Sequence, residues 1–120
     1  MIRETFREFE QSALAAMEDG VDIFVTLRWK PEPQRWIQLT RLKFNAHYPY
    51  TTHPDEKLRA AHVTPPKDCR LSEWEANRFA TWEHGHAQEP EVLADFAEAY
   101  AEKILNISTD TDAYEVEYDQ

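Results

Sequence analysis

The hydrophobic periodicity of this chain changes at Gly20. Over residues 2–19, apolar side chains recur every three or four positions, which predicts an amphipathic helix. Gly20 can adopt the left-handed backbone that ends a helix. Over residues 21–29, apolar and polar residues alternate, which predicts a strand buried on one side. The apolar positions are Ile2, Phe6, Phe9, Ala13 and Met17 in the helix and Val21, Ile23, Val25, Leu27 and Trp29 in the strand.

The middle of the chain predicts further strands joined by proline-containing loops. Two prolines in residues 30–34 end the first strand, because proline cannot donate to a strand ladder. A second strand is expected over residues 35–45, with a change of apolar phase near position 40 that indicates a bulge or burial on both faces. Residues 46–57 contain two prolines and no clear period, so they predict a loop. Residues 58–64 are then expected to form a third strand.

The second half of the chain predicts two helices and a final extended segment. Ser72 to Glu75 matches the pattern of a helix capping box, and that helix is expected to end near residues 84–86. A second helix begins near Pro90, which suits a first-turn position. Its apolar face comprises Val92, Leu93, Phe96, Ala97, Tyr100, Ile104 and Leu105. Acidic and apolar residues alternate over 114–118, so residues 109–120 form an acidic tail or an edge strand.

These elements predict one α+β domain over residues 1–120, in the order α-β-β-(β)-α-α-(β). The expected architecture is a two-layer sandwich, with an antiparallel sheet of three to five strands and helices on one face. A length of 120 residues suits a single domain. Two glycines in the whole chain exclude a glycine-rich phosphate loop.

The targeting features of the sequence favour a cytoplasmic protein. The first eight residues are charged and lack the apolar core of a signal peptide. The chain has no apolar run near the roughly 18–20 residues that a transmembrane helix needs. Cys69 has no partner cysteine in the chain, which excludes a disulfide scaffold.

The net charge of −10 lies in the second half of the sequence. Residues 1–60 contain nine basic and nine acidic side chains, whereas residues 61–120 contain four basic and fourteen acidic ones. Such a field repels nucleic acid and anionic membranes and steers basic partners, although it also serves solubility alone. The acidic residues expected to contact a partner are Glu91, Asp95, Glu98, Glu102, Asp112, Glu115 and Glu117. The first four are spaced to form a single-sign solvent face of a helix, here called the acidic stripe.

Several segments of the chain resemble one family of small bacterial proteins. The segments are the leading helix with Phe6 and Phe9, Ile23-Phe24-Val25, Trp36-Ile37-Gln38-Leu39, Leu71-Ser72-Glu73-Trp74-Glu75 leading to Thr81-Trp82, and the apolar last helix. Together they resemble proteins with the type III secretion chaperone-like fold, including the YbjN and TY-chaperone-like groups. The resemblance implies a protein that binds other proteins and has no catalytic residues.

Aromatic residues supply candidate contacts for such a partner. Trp36, Tyr48 and Tyr50 are expected to form an exposed patch, because tryptophan and tyrosine are enriched at interaction hot spots. Whether the four tryptophans, Trp29, Trp36, Trp74 and Trp82, are buried or exposed is left open by the sequence. Trp29 and Trp36 flank the proline turn and can stack across the predicted hairpin.

Two other chemistries remain as alternatives. His84 and His86 can bind a metal together with a carboxylate such as Glu83. A nucleophilic Cys69 needs a neighbouring histidine, and the sequence places none beside it.

The sequence therefore predicts a non-catalytic interaction protein of bacterial or phage type, without cofactor or metal. It is expected to bind a partner protein that has a basic surface, as a chaperone, an immunity protein or an inhibitor does. Direct binding to nucleic acid or membrane is not expected, and dimerisation through an edge strand or the first helix is compatible with the pattern. One alternative is an acidic DNA mimic that inhibits a nuclease or another nucleic-acid-binding protein. The other is a small metal-binding protein or enzyme that uses His84 and His86.

Overall fold

The computed structural model of the chain describes residues 2–5, 7–8, 24–40, 43–84 and 90–119. Residues 2–5 and 7–8 are helical, so the first helix begins where it was predicted, and its remainder lies outside the described residues. The strands are β1 (Phe24–Trp29), β2 (Trp36–Thr40), β3 (Lys43–Tyr48), β4 (Cys69–Glu75), β5 (Arg78–His84) and β6 (Tyr114–Asp119). The helices are α1 (Pro54–Ala60) and α2 (Pro90–Lys103), and a short 3₁₀ helix spans Thr111–Ala113.

The six strands form one antiparallel sheet in the order β4-β5-β3-β2-β1-β6. The α+β class is therefore confirmed, and the sheet is larger than the three to five strands expected. The element order also differs, because α1 separates β3 from β4 and a hairpin occupies the position of a predicted helix. No helix in the described part of the chain is both long and apolar enough to cross a membrane.

The core lies between one face of the sheet and the helices. Phe96 and Tyr100 of α2 pack on Phe44, with ring centroids 4.7 Å and 5.5 Å away. Leu58 of α1 and Ile2 of the N-terminal helical segment belong to the same buried cluster. The predicted apolar face of α2 is buried except at Val92, which is 38% exposed.

The change of apolar phase near residue 40 marks a chain reversal, so the prediction of one long strand with a bulge is wrong. Leu39 pairs with Phe44 and Ile37 pairs with Ala46 across an antiparallel ladder. The Thr40 hydroxyl accepts a hydrogen bond from the Lys43 backbone N–H at 3.1 Å. The connection between β2 and β3 is two residues long, so the core-facing positions are odd-numbered in β2 and even-numbered in β3. Both strands therefore keep their apolar side chains on the core face.

The segment after β3 was also predicted wrongly. Residues 46–48 extend β3, and residues 54–60, expected to be loop and strand, form α1. Pro54 occupies the first turn of α1. Backbone N–H groups in a first turn have no hydrogen-bond partner within the helix, so proline, which lacks an N–H, is tolerated there. The His53 side chain accepts a hydrogen bond from the Asp55 backbone N–H at 3.2 Å and caps the helix.

A β-hairpin replaces the helix predicted from Ser72. Strands β4 and β5 pair antiparallel, with Leu71 opposite Trp82 and Trp74 opposite Ala80. The turn between them contains Asn77 at a φ of 61°, a left-handed conformation that asparagine tolerates. The capping-box pattern at Ser72 is thus a chance match, and Ser72 lies at an irregularity in the ladder.

Candidate functional site

The sheet has a second face that points away from α2, here called the outer face. Side chains alternate between the two faces along each strand. Phe24, Trp36 and Phe79 are partly buried on the outer face, and none of them belongs to the core cluster. Both α1 and α2 contribute to the core on the opposite side. The outer face therefore carries aromatic side chains that packing of these two helices does not explain.

The centre of the outer face is a hydrogen-bonded ladder of polar side chains. Asn45 donates from Nδ2 to Gln38 Oε1 at 2.9 Å, and Gln38 donates from Nε2 to Thr26 Oγ1 at 3.1 Å. These residues are neighbours on β3, β2 and β1 by the strand register. The ladder holds the amides in fixed orientations in the middle of the sheet.

An aromatic row lies beside this ladder. The register places His47 opposite Phe79 on β5, and Trp36 on β2 directly precedes Ile37, which pairs with Ala46 beside His47. The His47 Nδ1–H donates to the Arg78 carbonyl at 3.1 Å, which fixes the tautomer, because a carbonyl can only accept. Burial lowers the pKa of His47 below 6.5, and the charge of Arg35 lowers it further. His47 is therefore neutral near pH 7.

We expect His47 to make the folded protein less stable as the pH falls below 6.5. The unfolded chain takes up a proton near that pH, whereas folded His47 does so only at a lower pH, so acid favours unfolding in the interval between. Urea unfolding of the wild type and His47→Gln across this interval measures the effect. The variant should lose this part of the pH dependence, and His53→Gln, at an exposed position, should retain it. Identical profiles for wild type and His47→Gln would contradict the assignment.

Carboxylates border the outer face along both edge strands. Glu73 and Glu75 are exposed on β4, and Glu115 and Glu117 are exposed on β6. Glu117 lies 3.7 Å from Arg28, measured between Oε1 and Nε. Within the described residues, Glu73 and Glu115 have no ion-pair partner. An aromatic and amide centre is thus flanked by negative charge.

The acidic stripe on α2 is not the single-sign solvent face that was predicted. Arg3 pairs with Asp95 and approaches Glu98 at 3.8 Å, and Arg7 pairs with Glu91 at 2.8 Å. The N-terminal helical segment therefore partly neutralises the stripe. A sequence signal for this pairing exists, because Arg3 and Arg7 are four residues apart, as are Glu91 and Asp95.

Other cations of the first half also contact the acidic second half. Lys30 donates from Nζ to the Asp112 carbonyl at 2.9 Å, and Arg35 donates to the Leu105 carbonyl. These two contacts join the halves of the chain through backbone carbonyls, so they leave the carboxylates of the second half unneutralised. Of the predicted acidic contacts, only Glu98 is partly buried. Glu91 and Asp95 are exposed but paired with arginines, and the others are exposed: Glu102, Asp112, Glu115 and Glu117.

The three predicted contact aromatics do not form one patch. Trp36 lies on the outer face, but Tyr48 is fully buried in the core, where burial raises its pKa to about 12. Tyr50 is partly buried, donates to the Ile104 carbonyl at 2.6 Å and lies under Lys57 Nζ, 3.9 Å from the ring centroid. Tyr48 is therefore a core residue and not a contact residue. Alternation alone could have placed Phe24 and Phe79 on the outer face with Trp36, although Phe24 lies opposite Thr40, four residues along β2 from Trp36.

The tryptophans have different environments. Trp82 is fully buried, and Trp29 and Trp74 are partly buried against the core. Arg28 pairs with Trp36 across β1 and β2, so Trp29 and Trp36 lie on opposite faces. The predicted stacking of these two rings is wrong.

The fold brings Cys69 and His84 together, which the sequence did not predict. They are opposite each other on β4 and β5. Burial raises the pKa of the Cys69 thiol to about 12, which disfavours the thiolate that a nucleophile or metal ligand requires. His84 is buried, and His86 lies outside the described residues. Within the described parts of the chain, no group of three or more histidine, cysteine, aspartate or glutamate residues is arranged to hold a metal.

Comparison of the chain with models of protein families, with curated proteins and with solved structures gives no match. The surface itself is therefore the basis for inferring function.

Proposed function

We propose that this protein binds another protein through the outer face of its sheet, as a chaperone, an immunity protein or an inhibitor does. The observation that carries the proposal is the set of Phe24, Trp36 and Phe79 on the face opposite the core. Large aromatics outside a core are characteristic of interaction hot spots. Trp36 is the expected anchor, because tryptophan is among the residues most enriched at such positions.

The dimensions of the outer face suit a protein partner. Six strands spaced about 4.8 Å apart give a face about 24 Å wide, and five to seven residues per strand make it about 20 Å long. Because side chains make the surface uneven, its accessible area exceeds the flat area and approaches the roughly 800 Å² that each partner contributes to a standard interface.

The charges around the face favour a partner with a basic rim. Glu73, Glu75, Glu115 and Glu117 lie at its two edges. Charges at a rim mainly increase the association rate and select the partner, whereas buried anchors slow dissociation. The pairing of Arg3 and Arg7 with the acidic stripe weakens one of the features that favoured DNA mimicry, and the aromatic side chains of the outer face favour a protein partner instead.

Affinity capture with quantitative mass spectrometry tests the proposal in the cells that naturally express the chain. The wild type should enrich a discrete partner, and Trp36→Ala should enrich it at least about tenfold less, which corresponds to about 1.4 kcal/mol. Val92→Ala is the matched control, since Val92 is an exposed apolar residue on α2. Equal enrichment by Trp36→Ala and the wild type would overturn the proposal.

A further inference from the structure

Strand β6 forms one edge of the sheet, and in the described part of the chain it pairs with β1 alone. Its Val116 and Tyr118 lie opposite Leu27 and Val25, so they continue the rows of the core face. Glu115 and Glu117 point to the outer face. The edge thus presents apolar side chains on one side and carboxylates on the other.

Exposure increases along the apolar side of β6 towards its C-terminal end. Tyr114 is 4% exposed, Val116 is partly buried and Tyr118 is 55% exposed. Tyr118 and Val92 are the large hydrophobic side chains exposed in the described residues. A row that belongs to the core therefore ends in solvent at the outermost strand of the sheet.

The opposite edge strand is less suited to accept another strand. The ladder of β4 is irregular between Leu71 and Glu73, and α1 packs near β4. Bulges and covering helices protect sheet edges from further pairing. The pairing of β6 with β1 has no such irregularity over its six residues.

A second copy of the chain fits this edge poorly. If two copies of β6 paired antiparallel with their core faces on the same side, glutamates at positions 115 and 117 would face acidic residues of the other copy. Like charges directly opposite each other destabilise a strand pair. The edge therefore favours a different, basic chain.

We propose that β6 accepts an added strand from a partner protein, in a segment where apolar and basic residues alternate. The apolar residues would extend the core rows over Val116 and Tyr118, and the basic residues would face Glu115 and Glu117. Backbone hydrogen bonds to the edge supply affinity, and the alternating side chains supply specificity. This inference deepens the proposed function and rests on the protein being a binding module, but it uses a surface distinct from Trp36.

Binding of capped seven-residue peptides to the full-length protein, measured by isothermal titration calorimetry, tests the proposal. A peptide of alternating valine and lysine should bind at least about tenfold more tightly than its valine–glutamate counterpart. Methylating alternate backbone nitrogens of the lysine peptide, on the edge that faces β6, should also weaken binding at least about tenfold, because strand pairing needs those N–H groups. Equal binding of the methylated peptide, or no binding of the lysine peptide at millimolar concentration, would overturn the proposal.

Charge reversal in the protein provides the matched test. The double variant Glu115→Lys with Glu117→Lys should prefer the glutamate peptide. The control, Glu56→Lys with Glu102→Lys, changes two exposed helical positions and carries the same net charge, so it should still prefer the lysine peptide. Circular dichroism checks that both variants fold. If the two variants changed the peptide preference equally, the preference would come from the overall charge of the protein, and this result would overturn strand addition.

Two further measurements separate this inference from the proposed function and from self-association. Trp36→Ala should bind the lysine peptide like the wild type, so loss of the outer-face site and loss of the edge site are distinguishable. Sedimentation should show a monomeric free chain. A dimer abolished by Tyr118→Ser would assign the edge to a second copy and overturn the proposal.

Discussion

Replacing Trp82 by alanine is expected to lower the free energy of unfolding by about 3–5 kcal/mol. The indole is fully buried, and its ring lies 6.0 Å from that of Phe44, 5.8 Å from Phe96 and 5.7 Å from Tyr100. These contacts join β5 and β3 to α2. The truncation leaves a cavity between the two layers that rigid neighbours fill only in part. Because small domains are stable by only about 5–15 kcal/mol, the loss is a large share of the total.

Urea unfolding followed by circular dichroism measures this change, with Trp36→Ala as the matched control. The same truncation at Trp36 should change the unfolding free energy by less than about 1 kcal/mol, because that ring lies outside the core. Equal destabilisation by the two variants would contradict the division of the sheet into a core face and an outer face.

Labelling of Cys69 by a thiol reagent at pH 8 is expected to be at least about a hundredfold slower in the folded protein than in urea. Burial raises the pKa of this thiol from 9.0 to about 12, so the folded protein contains far less of the reactive thiolate. Since Cys69 is the single cysteine of the chain, the label reports on it alone.

The rate of colour release from Ellman's reagent measures the labelling. Folded and urea-unfolded protein are compared at the same pH, with a cysteine peptide as a reference for the effect of urea. A folded rate within tenfold of the unfolded rate would show an accessible thiol whose pKa burial does not raise. It would then revive a chemical role for the Cys69 and His84 pair.

The elements predicted correctly are those with a long, uniform period. Strand β1, helix α2 and strand β6 each keep one apolar spacing along their length, and the proline turn after β1 ends it as expected. Such local patterns survive folding because the same face stays buried throughout.

The failures occurred where strand pairing, which the local pattern does not reveal, determines the structure. From the local sequence, a bulge and a tight chain reversal explain the change of apolar phase near residue 40 equally well. Only the ladder between β2 and β3 distinguishes them. Residues 72–84 match a helix start locally, but β5 gains a second ladder with β3. Tertiary pairing of this kind overrides local propensity.

Only part of the candidate site could be predicted from the sequence, because the site also depends on how the strands pair. Trp36 was identified, but the separation of Tyr48 from it depends on which sheet face each residue occupies. Arg3 and Asp95 are 92 residues apart, so the matched four-residue spacings were compatible with pairing, and only the packed structure shows which groups meet. Composition gave the excess of acid, whereas the fold determines which carboxylates remain exposed.

Site-specific photo-cross-linking in living cells tests most directly whether the outer face is a binding surface. A benzophenone side chain at Gln38, in the centre of that face, is compared with one at the exposed Glu102 on α2. We predict a discrete adduct with one partner protein from position 38 and its absence from position 102. The absence of an adduct from position 38, or the same adduct from both positions, would contradict the assignment of function to this face.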